Sequence, residues 1–510
     1  MSDDHLTRRS LLGRGAALAA APLAIPGVGS ETLTPLAREG PDEMRTYGSD
    51  GDPSFVVYAD AGQRDTLESW VESTDGARVL REHDVLEGLT ITAPWDAMGL
   101  YRYAGVTIPM GGLQAKDWVR RIDANVTLSR PDPIRSLEDD DVWSFDLGFV
   151  ESLRTSEPSA SGVAFDEDAP DVTLAKSRAH VRASDSLVED TDTSDQIIAV
   201  IDTGCTDGSL YEDDDGDTRI RDESENFVDG ETVDEDGTEV VEADDSSEHG
   251  DWVGKCIAAN DDGDDLGFAP EADVLALKAL DEDGSGSLSN LVAAVETAID
   301  VGATEMCLSL GSSQWADGLT EALAEAVDED IFVAIASGND RIGTTFIASP
   351  ASSGHGLAVQ ACNVPDDGRG ETKLAYFGNV GPHPGSQDFS DGESHGATPD
   401  IAAPGMNVSV DGNRLSGTSM AAPHVVGGAA LLRASEGLDV EETVDRLTKT
   451  AYPLPNAGET EAEHGLLDVQ AAIDDEEPED GPSDVRNGRA KSRDAFNETL
   501  SATRGSFLFG

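Results

Sequence analysis

Apolar residues along this chain fall into short blocks whose spacing changes from one stretch to the next. Phe55, Val56, Val57 and Tyr58 form a strand-length run, Leu67, Trp70 and Val71 recur at helical spacing over 63–73, and Leu89 and Ile91 alternate within 88–93. This predicts a small α+β unit, with weaker strands between 104 and 150. Residues 151–172 are rich in Ser, Pro, Asp and Glu and lack periodicity, as expected of an exposed linker. Beyond it the rhythm becomes regular. Apolar runs at 197–201, 274–280, 306–310, 331–336 and 357–361 read as strands, and 288–301 and 319–327 have the spacing of amphipathic helices. Continuous apolar strands alternating with helices predict an α/β domain: a parallel sheet covered by helices on both faces through right-handed crossovers. A site in such a domain belongs in the loops at the carboxyl ends of the strands.

Charge adds a constraint. The chain holds 102 Asp and Glu against 34 Lys and Arg, a formal net charge of -68 spread along its length. Binding to nucleic acid or to an anionic membrane is therefore disfavoured. Because 38% of the residues are hydrophobic and lie in strand-length blocks, the acidity predicts a hydrated, halophile-like surface around a real core. Structure should then be lost when molar salt is removed. Near the start, Arg8 and Arg9 precede the small apolar run from Gly15 to Ile25, which Pro26 breaks. This reads as a twin-arginine export signal within residues 1–30, too short to remain as a span. The expectation is a secreted, extracellular protein with no stable membrane span. Cys205, Cys256, Cys307 and Cys362 are too far apart for a disulfide scaffold or a metal-ligand pattern. They are expected as buried thiols, with a Cys205–Cys256 bridge as the alternative. Residues 476–510 read as an acidic, disordered tail.

Three segments carry reactive residue types. Val200-Ile201-Asp202-Thr203-Gly204 delivers a carboxylate at the end of the first strong strand. Asp-Thr-Gly also marks aspartic peptidases, but these need a second copy, and none is found. Glu248-His249-Gly250-Asp251-Trp252-Val253 opens a helix with a histidine able to swing toward that carboxylate. Leu415-Ser416-Gly417-Thr418-Ser419-Met420-Ala421-Ala422-Pro423-His424-Val425 puts a serine at the start of an apolar helix, with Gly417 allowing close backbone approach. The Gly-x-Ser-x-Gly elbow of α/β-hydrolases does not fit, since Ala421 stands at its last glycine and the order Asp, His, Ser is reversed.

This last run resembles the active-serine signature of the subtilisin-like serine peptidases, the subtilase family, and the resemblance extends along residues 180–470. Gly267-Phe268-Ala269-Pro270, Asp283-Gly284-Ser285-Gly286-Ser287, Ser309-Leu310-Gly311, Ala336-Ser337-Gly338-Asn339-Asp340 and Asp400-Ile401-Ala402-Ala403-Pro404-Gly405 are similar to further segments of that family. The resemblance implies a subtilisin-like peptidase domain at 173–475 and a secreted serine endopeptidase acting on polypeptide substrates through an acyl-enzyme. It implies Asp202, His249 and Ser419 as the triad and Asn339 as oxyanion donor beside the Ser419 amide. Ser285 and Gly286 would form the edge that pairs with substrate, and Ser309, Leu310 and Gly311 would line the pocket before the scissile bond. Residues 53–130 resemble the inhibitor-like propeptide in position and in strand-helix-strand rhythm, so the chain's own propeptide is an expected partner, with an unrelated accessory domain as the alternative. No organic cofactor is implied. Asp213, Asp215 and Asp217 and the loop of Asn260, Asp262 and Asp264 have spacing that suits structural calcium, with ordinary acidic surface loops as the alternative reading. After the histidine, where the family continues Gly-Thr-x-Val-Ala-Gly-Thr, this chain has Gly250-Asp251-Trp252-Val253-Gly254-Lys255-Cys256. Asp251 suits a first helical turn, whereas Lys255 replaces a small residue. Altered packing of that helix is expected, and a catalytically impaired binding protein of the same fold is the alternative function.

Overall fold

The computed structural model describes residues 54–129 and 172–478, apart from 99, 104–105, 110–111, 126, 207, 214, 229–246, 262, 313–314, 342–345, 382–396, 455–456 and 458–460. The predicted export signal, nearly all of the linker and the tail beyond 478 lie outside the described residues.

The amino-terminal unit is an antiparallel sheet of β1 (Ser54–Ala59), β2 (Arg78–His83), β3 (Gly88–Thr92) and β4 (Val119–Ala124) in the order β2-β3-β1-β4, with helix α1 (Arg64–Ser73) after β1. Side chains of β1 alternate as a strand requires. Phe55, Val57 and Ala59 join Leu67 and Val71 of α1 in this unit's own core, while Val56 and Tyr58 point away into the core of the larger domain. A short strand, β5 (Thr127–Ser129), follows β4.

The larger domain is built on eight strands: β6 (Ile197–Asp202), β7 (Glu225–Asn226), β8 (Asp273–Lys278), β10 (Glu305–Leu308), β11 (Phe332–Ala336), β12 (Leu357–Cys362), β13 (Ile401–Pro404) and β16 (Gly465–Leu466). They lie in the order β7-β8-β6-β10-β11-β12-β13-β16, every neighbouring pair parallel. The strands are apolar throughout because both faces are buried. Ile198, Val200, Val274 and Ala276 face one core with helices α2 (His249–Ala258) and α5 (Thr418–Glu436). Ala199, Ile201, Leu275 and Leu277 face the other, with α3 (Leu288–Val301) and α4 (Asp317–Asp328). Each fully buried Leu, Ile or Val there contributes about 1.5–3 kcal/mol. Helix α3 starts where the Ser287 hydroxyl accepts the Asn290 amide and stops at Gly302, whose φ of 78° is open to glycine. Smaller pieces matter for the site: β9 (Ser285–Ser287), the hairpin β14 (Val408–Val410) and β15 (Asn413–Leu415), α6 (Val440–Lys449) and α7 (Val469–Asp474).

Predicted strands 274–280 and 306–310 end earlier, at Lys278 and Leu308. At the first of these the amides of Ala279 and Leu280 both donate to Asp202 O, at 3.0 Å each, so the chain turns across the end of β6. Among the described residues no helix is long and apolar enough to cross a membrane.

Candidate active site

Strand β6 has β8 on one side and β10 on the other, so the order of strands reverses about it and a crevice opens beyond its carboxyl end. Asp202 is its last residue. Asp202 Oδ1 accepts the Thr203 amide at 2.7 Å and His249 Nδ1 at 2.7 Å, with both side chains fully buried. With Nδ1 donating to a carboxylate, His249 Nε2 is left as the acceptor nitrogen.

His249 is the first residue of α2, and the preceding Glu248 takes a left-handed φ of 64° that swings the helix start toward β6. The Thr203 hydroxyl meets this start, accepting the Gly250 amide at 3.0 Å and the Ser247 hydroxyl at 2.9 Å. Gly250 makes the approach possible: a Cβ there would stand 2.2 Å from Gly204 O and 3.1 Å from Asp202 Cβ.

Ser419 is the second residue of α5. Pro423 lies within this helix and has no N–H, so the Ser419 carbonyl loses its usual i+4 donor. Ser309 supplies the replacement, its hydroxyl donating to Ser419 O at 3.0 Å, while the Ser419 hydroxyl donates to Ser309 O at 3.3 Å. Asn339 follows β11. Its Oδ1 accepts both the Thr418 amide (2.9 Å) and the Thr418 hydroxyl (3.0 Å), and that hydroxyl accepts the Gly338 amide at 3.1 Å. Fixing Oδ1 sends Nδ2 to the other side. A Cβ on Gly417 would stand 3.0 Å from Asn339 Nδ2 and 3.7 Å from Ser419 N, so the two donors flank one small volume.

The structure thus joins Asp202 to His249, Ser309 to Ser419, and Asn339 to Thr418 beside that serine. His249 Nε2 is buried with no hydrogen-bond partner, and the Ser419 hydroxyl is turned to Ser309 O, so no hydrogen bond links imidazole and serine here. Ser285 and Gly286 lie on β9, which pairs antiparallel with β5 of the amino-terminal unit, Ser285 opposite Ser129 and Gly286 opposite Leu128. Leu310 is fully buried, and a Cβ on Gly311 would stand 2.6 Å from Ala348 Cβ.

The altered helix after His249 is accommodated without moving the histidine from Asp202. Trp252 is buried and donates from Nε1 to Asn413 O at 2.9 Å, and Lys255 runs its stem outward so that Nζ meets carboxylates at the rim. All four cysteines are buried thiols outside any disulfide, so the Cys205–Cys256 bridge is not formed. Cys205 Sγ points to Gly250 O and Cys256 Sγ to His424 Nδ1, each at 3.7 Å. Of the acidic loops, Asp213 Oδ1 is engaged by the amides of Asp215 and Asp217, both at 2.9 Å, and Asp262 lies outside the described residues. Among the described residues no three His, Cys, Asp or Glu side chains gather as metal ligands. Sequence reasoning assigned no role to Thr203, Ser247 or Thr418; the available signal was a hydroxyl residue beside or near each of Asp202, His249 and Ser419.

The profile of the Subtilase family, peptidase S8, matches residues 193–482. The "Thermophilic serine proteinase" of Bacillus sp. (strain AK1) is 36% identical over 220 residues, covering 40% of this chain and 49% of that protein. "Subtilisin-like protease 5" of Arthroderma otae is 33% identical over 221 residues, 41% of this chain and 49% of that protein. "Major intracellular serine protease" of Bacillus subtilis (strain 168) is 30% identical over 291 residues, 54% of this chain and 81% of that protein. The chain thus spans about half the length of the first two relatives and most of the third.

Proposed function

Because this chain belongs to the Subtilase family of peptidases, we propose that it is a serine endopeptidase in which Asp202, His249 and Ser419 act as the triad. The observation that carries this reading is the buried 2.7 Å bond between Asp202 Oδ1 and His249 Nδ1, which leaves Nε2 as the one nitrogen able to take a proton. In the reaction the Ser419 hydroxyl turns from Ser309 O to Nε2, gives up its proton and attacks the peptide carbonyl. The imidazolium then protonates the leaving amine, and water releases the acyl group by the same route in reverse. Asp202 keeps the imidazole in the right tautomer and stabilises its cation. Asn339 Nδ2 and the Ser419 amide receive the oxyanion, and Thr418 holds the asparagine in position. Ser285 and Gly286 pair with an extended substrate, and Ser309, Leu310 and Gly311 form one wall of the pocket for the residue before the scissile bond.

The reading includes the amino-terminal unit as an inhibitory propeptide. It is supported by β5, whose antiparallel pairing occupies β9, and by ion pairs from Arg120 and Arg121 to Glu321 of α4. Export by the twin-arginine route, a halophilic surface and structural calcium in the acidic loops belong to the same proposal. A chelator that lowers the melting temperature in high salt would support the calcium.

Fluorophosphonate labelling in high salt tests the central claim. Wild type should label and cleave peptides, Ser419→Ala should do neither, and Asn339→Ala should keep a remnant. Losing that donor is worth about 3 kcal/mol, a magnitude that comes from subtilisin itself. Undiminished turnover in Ser419→Ala would end the proposal.

A further inference from the structure

The residues that depart from the family pattern after His249 lie between the three segments bearing the proposed triad. Asp251, in the first turn of α2, accepts the Thr206 amide on Oδ1 at 3.3 Å, which ties it to the loop leaving β6 and Asp202. Its Oδ2 lies 2.6 Å from Lys255 Nζ one turn later, the favourable acid-before-base order along a helix. Lys255 Nζ also lies 2.8 Å from Asp411 Oδ2. Asp411 and Gly412 have φ of 49° and 74° and form the tight turn of the hairpin β14–β15. From that hairpin the chain runs through Ser416, Gly417 and Thr418 into Ser419. Trp252 reaches the same hairpin through Asn413 O.

We propose that Asp251, Lys255 and Asp411 form a clamp of positioning residues that holds the His249 helix against the hairpin leading into Ser419 and so sets the distance between imidazole and serine hydroxyl. This rests on the peptidase reading above. The clamp is sheltered on its helix side and open on its hairpin side, where the Asp411 side chain is 55% exposed. The side chains of Lys255 and Asp251 are only 16% and 14% exposed, so this pair is less screened than a surface ion pair. Burial works against the Lys255 ammonium, but Asp251 and Asp411 outweigh it and hold its pKa above the ordinary lysine value. A small residue at 255 and threonine at 251 could make neither ionic contact. The geometry makes the clamp specific to helix and hairpin: two independent side chains of α2, Trp252 and Lys255, bind one hairpin of eight residues.

The test compares the full-length chain, matured in high salt, with Lys255→Met, Lys255→Arg, Asp411→Asn and the Lys255→Met/Asp411→Asn double variant. Lys255→Met keeps the packing of the stem, and Asp411→Asn changes only an exposed turn, so both should fold. Expected are a roughly tenfold lower kcat with KM unchanged, slower fluorophosphonate labelling in parallel, recovery of most activity in Lys255→Arg, and a double variant no worse than Lys255→Met. Lower melting temperatures with unchanged kcat and labelling would show a merely structural contact and overturn the clamp, as would additive losses in the double variant. Wild type that fails to label would overturn the peptidase reading and the clamp with it, whereas labelling unaltered in the variants overturns the clamp alone.

Discussion

Gly250→Ala sets two effects of known size against each other. On helix propensity alone the change is favourable by about 1 kcal/mol, since glycine is a poor helix residue. The new Cβ, however, would lie 2.2 Å from Gly204 O, 3.0 Å from Gly204 N and 3.1 Å from Asp202 Cβ. The first two are backbone atoms with no rotamer to yield. Ordinary C···O contacts lie near 3.3–3.6 Å, so the helix start must retreat by about 1 Å. Overpacking of this kind costs about 1–3 kcal/mol, which cancels or exceeds the propensity gain. The retreat is also directed away from β6, and it stretches the 2.7 Å contact between His249 and Asp202 beyond hydrogen-bonding range. A catalytic group displaced by about 1 Å loses roughly 100-fold in rate, or about 2.7 kcal/mol. The expected result is therefore a melting temperature within a few degrees of wild type but kcat down about two orders of magnitude, with fluorophosphonate labelling slowed alike. Gly370→Ala serves as control, because its Cβ would meet only Tyr452 Oη, at 3.9 Å. Full activity in Gly250→Ala would refute the claim that this glycine sets the histidine's approach.

Docking of the amino-terminal unit should tighten in mild acid. Burial pushes the Asp123 carboxyl up to about 6, helped by Asp317 and opposed by Arg121; Tyr58 and Glu321 share the contact. A group that binds its proton more tightly when docked favours docking as pH falls through 6 toward 4, by up to roughly 100-fold. Ser419→Ala chain nicked between the units and run on gel filtration should hold together better at pH 5 than at pH 8, and the opposite order would sink the argument. His424 bears on stability instead. Burial pulls its pKa down to about 4, against the help of its bond to Met420 O and with Arg178 and His180 adding to the shift. The unfolded chain then binds the extra proton between pH 6.5 and 4. The contribution of His424 to stability should therefore fall by about 3 kcal/mol over that range and level off below it. Denaturant titrations of wild type and His424→Gln should differ in this slope, and parallel curves would assign the acid sensitivity elsewhere.

The parallel sheet was legible because strands buried on both faces are written as unbroken apolar runs, and 197–201 needed no partner to be recognised. Strands β7 and β16 were not, since two residues carry no period. Strand β4 falls among the weaker strands expected between 104 and 150, and its signal was faint for a different reason. Arg120, Arg121 and Asp123 give it the look of a polar loop, yet Arg120 and Arg121 pair with Glu321 of α4 across the interface, and Arg121 also pairs with Asp123 and lies over the Tyr58 ring of β1. Within the site, residue types and local turns marked Asp202, His249 and Ser419, but hydrogen bonds that link distant segments left almost no local trace. Lys255 looked like a misfit because helical spacing tells which turn a residue occupies and not which hairpin lies outside it. Pro423 illustrates how far such inference reaches. A proline inside a helix implies that the carbonyl four residues earlier lacks its donor, so the sequence alone requires something outside α5 to approach Ser419 O. That the donor is Ser309, which in turn accepts the Ser419 hydroxyl, follows only from the sheet order that brings the end of β10 beneath the start of α5.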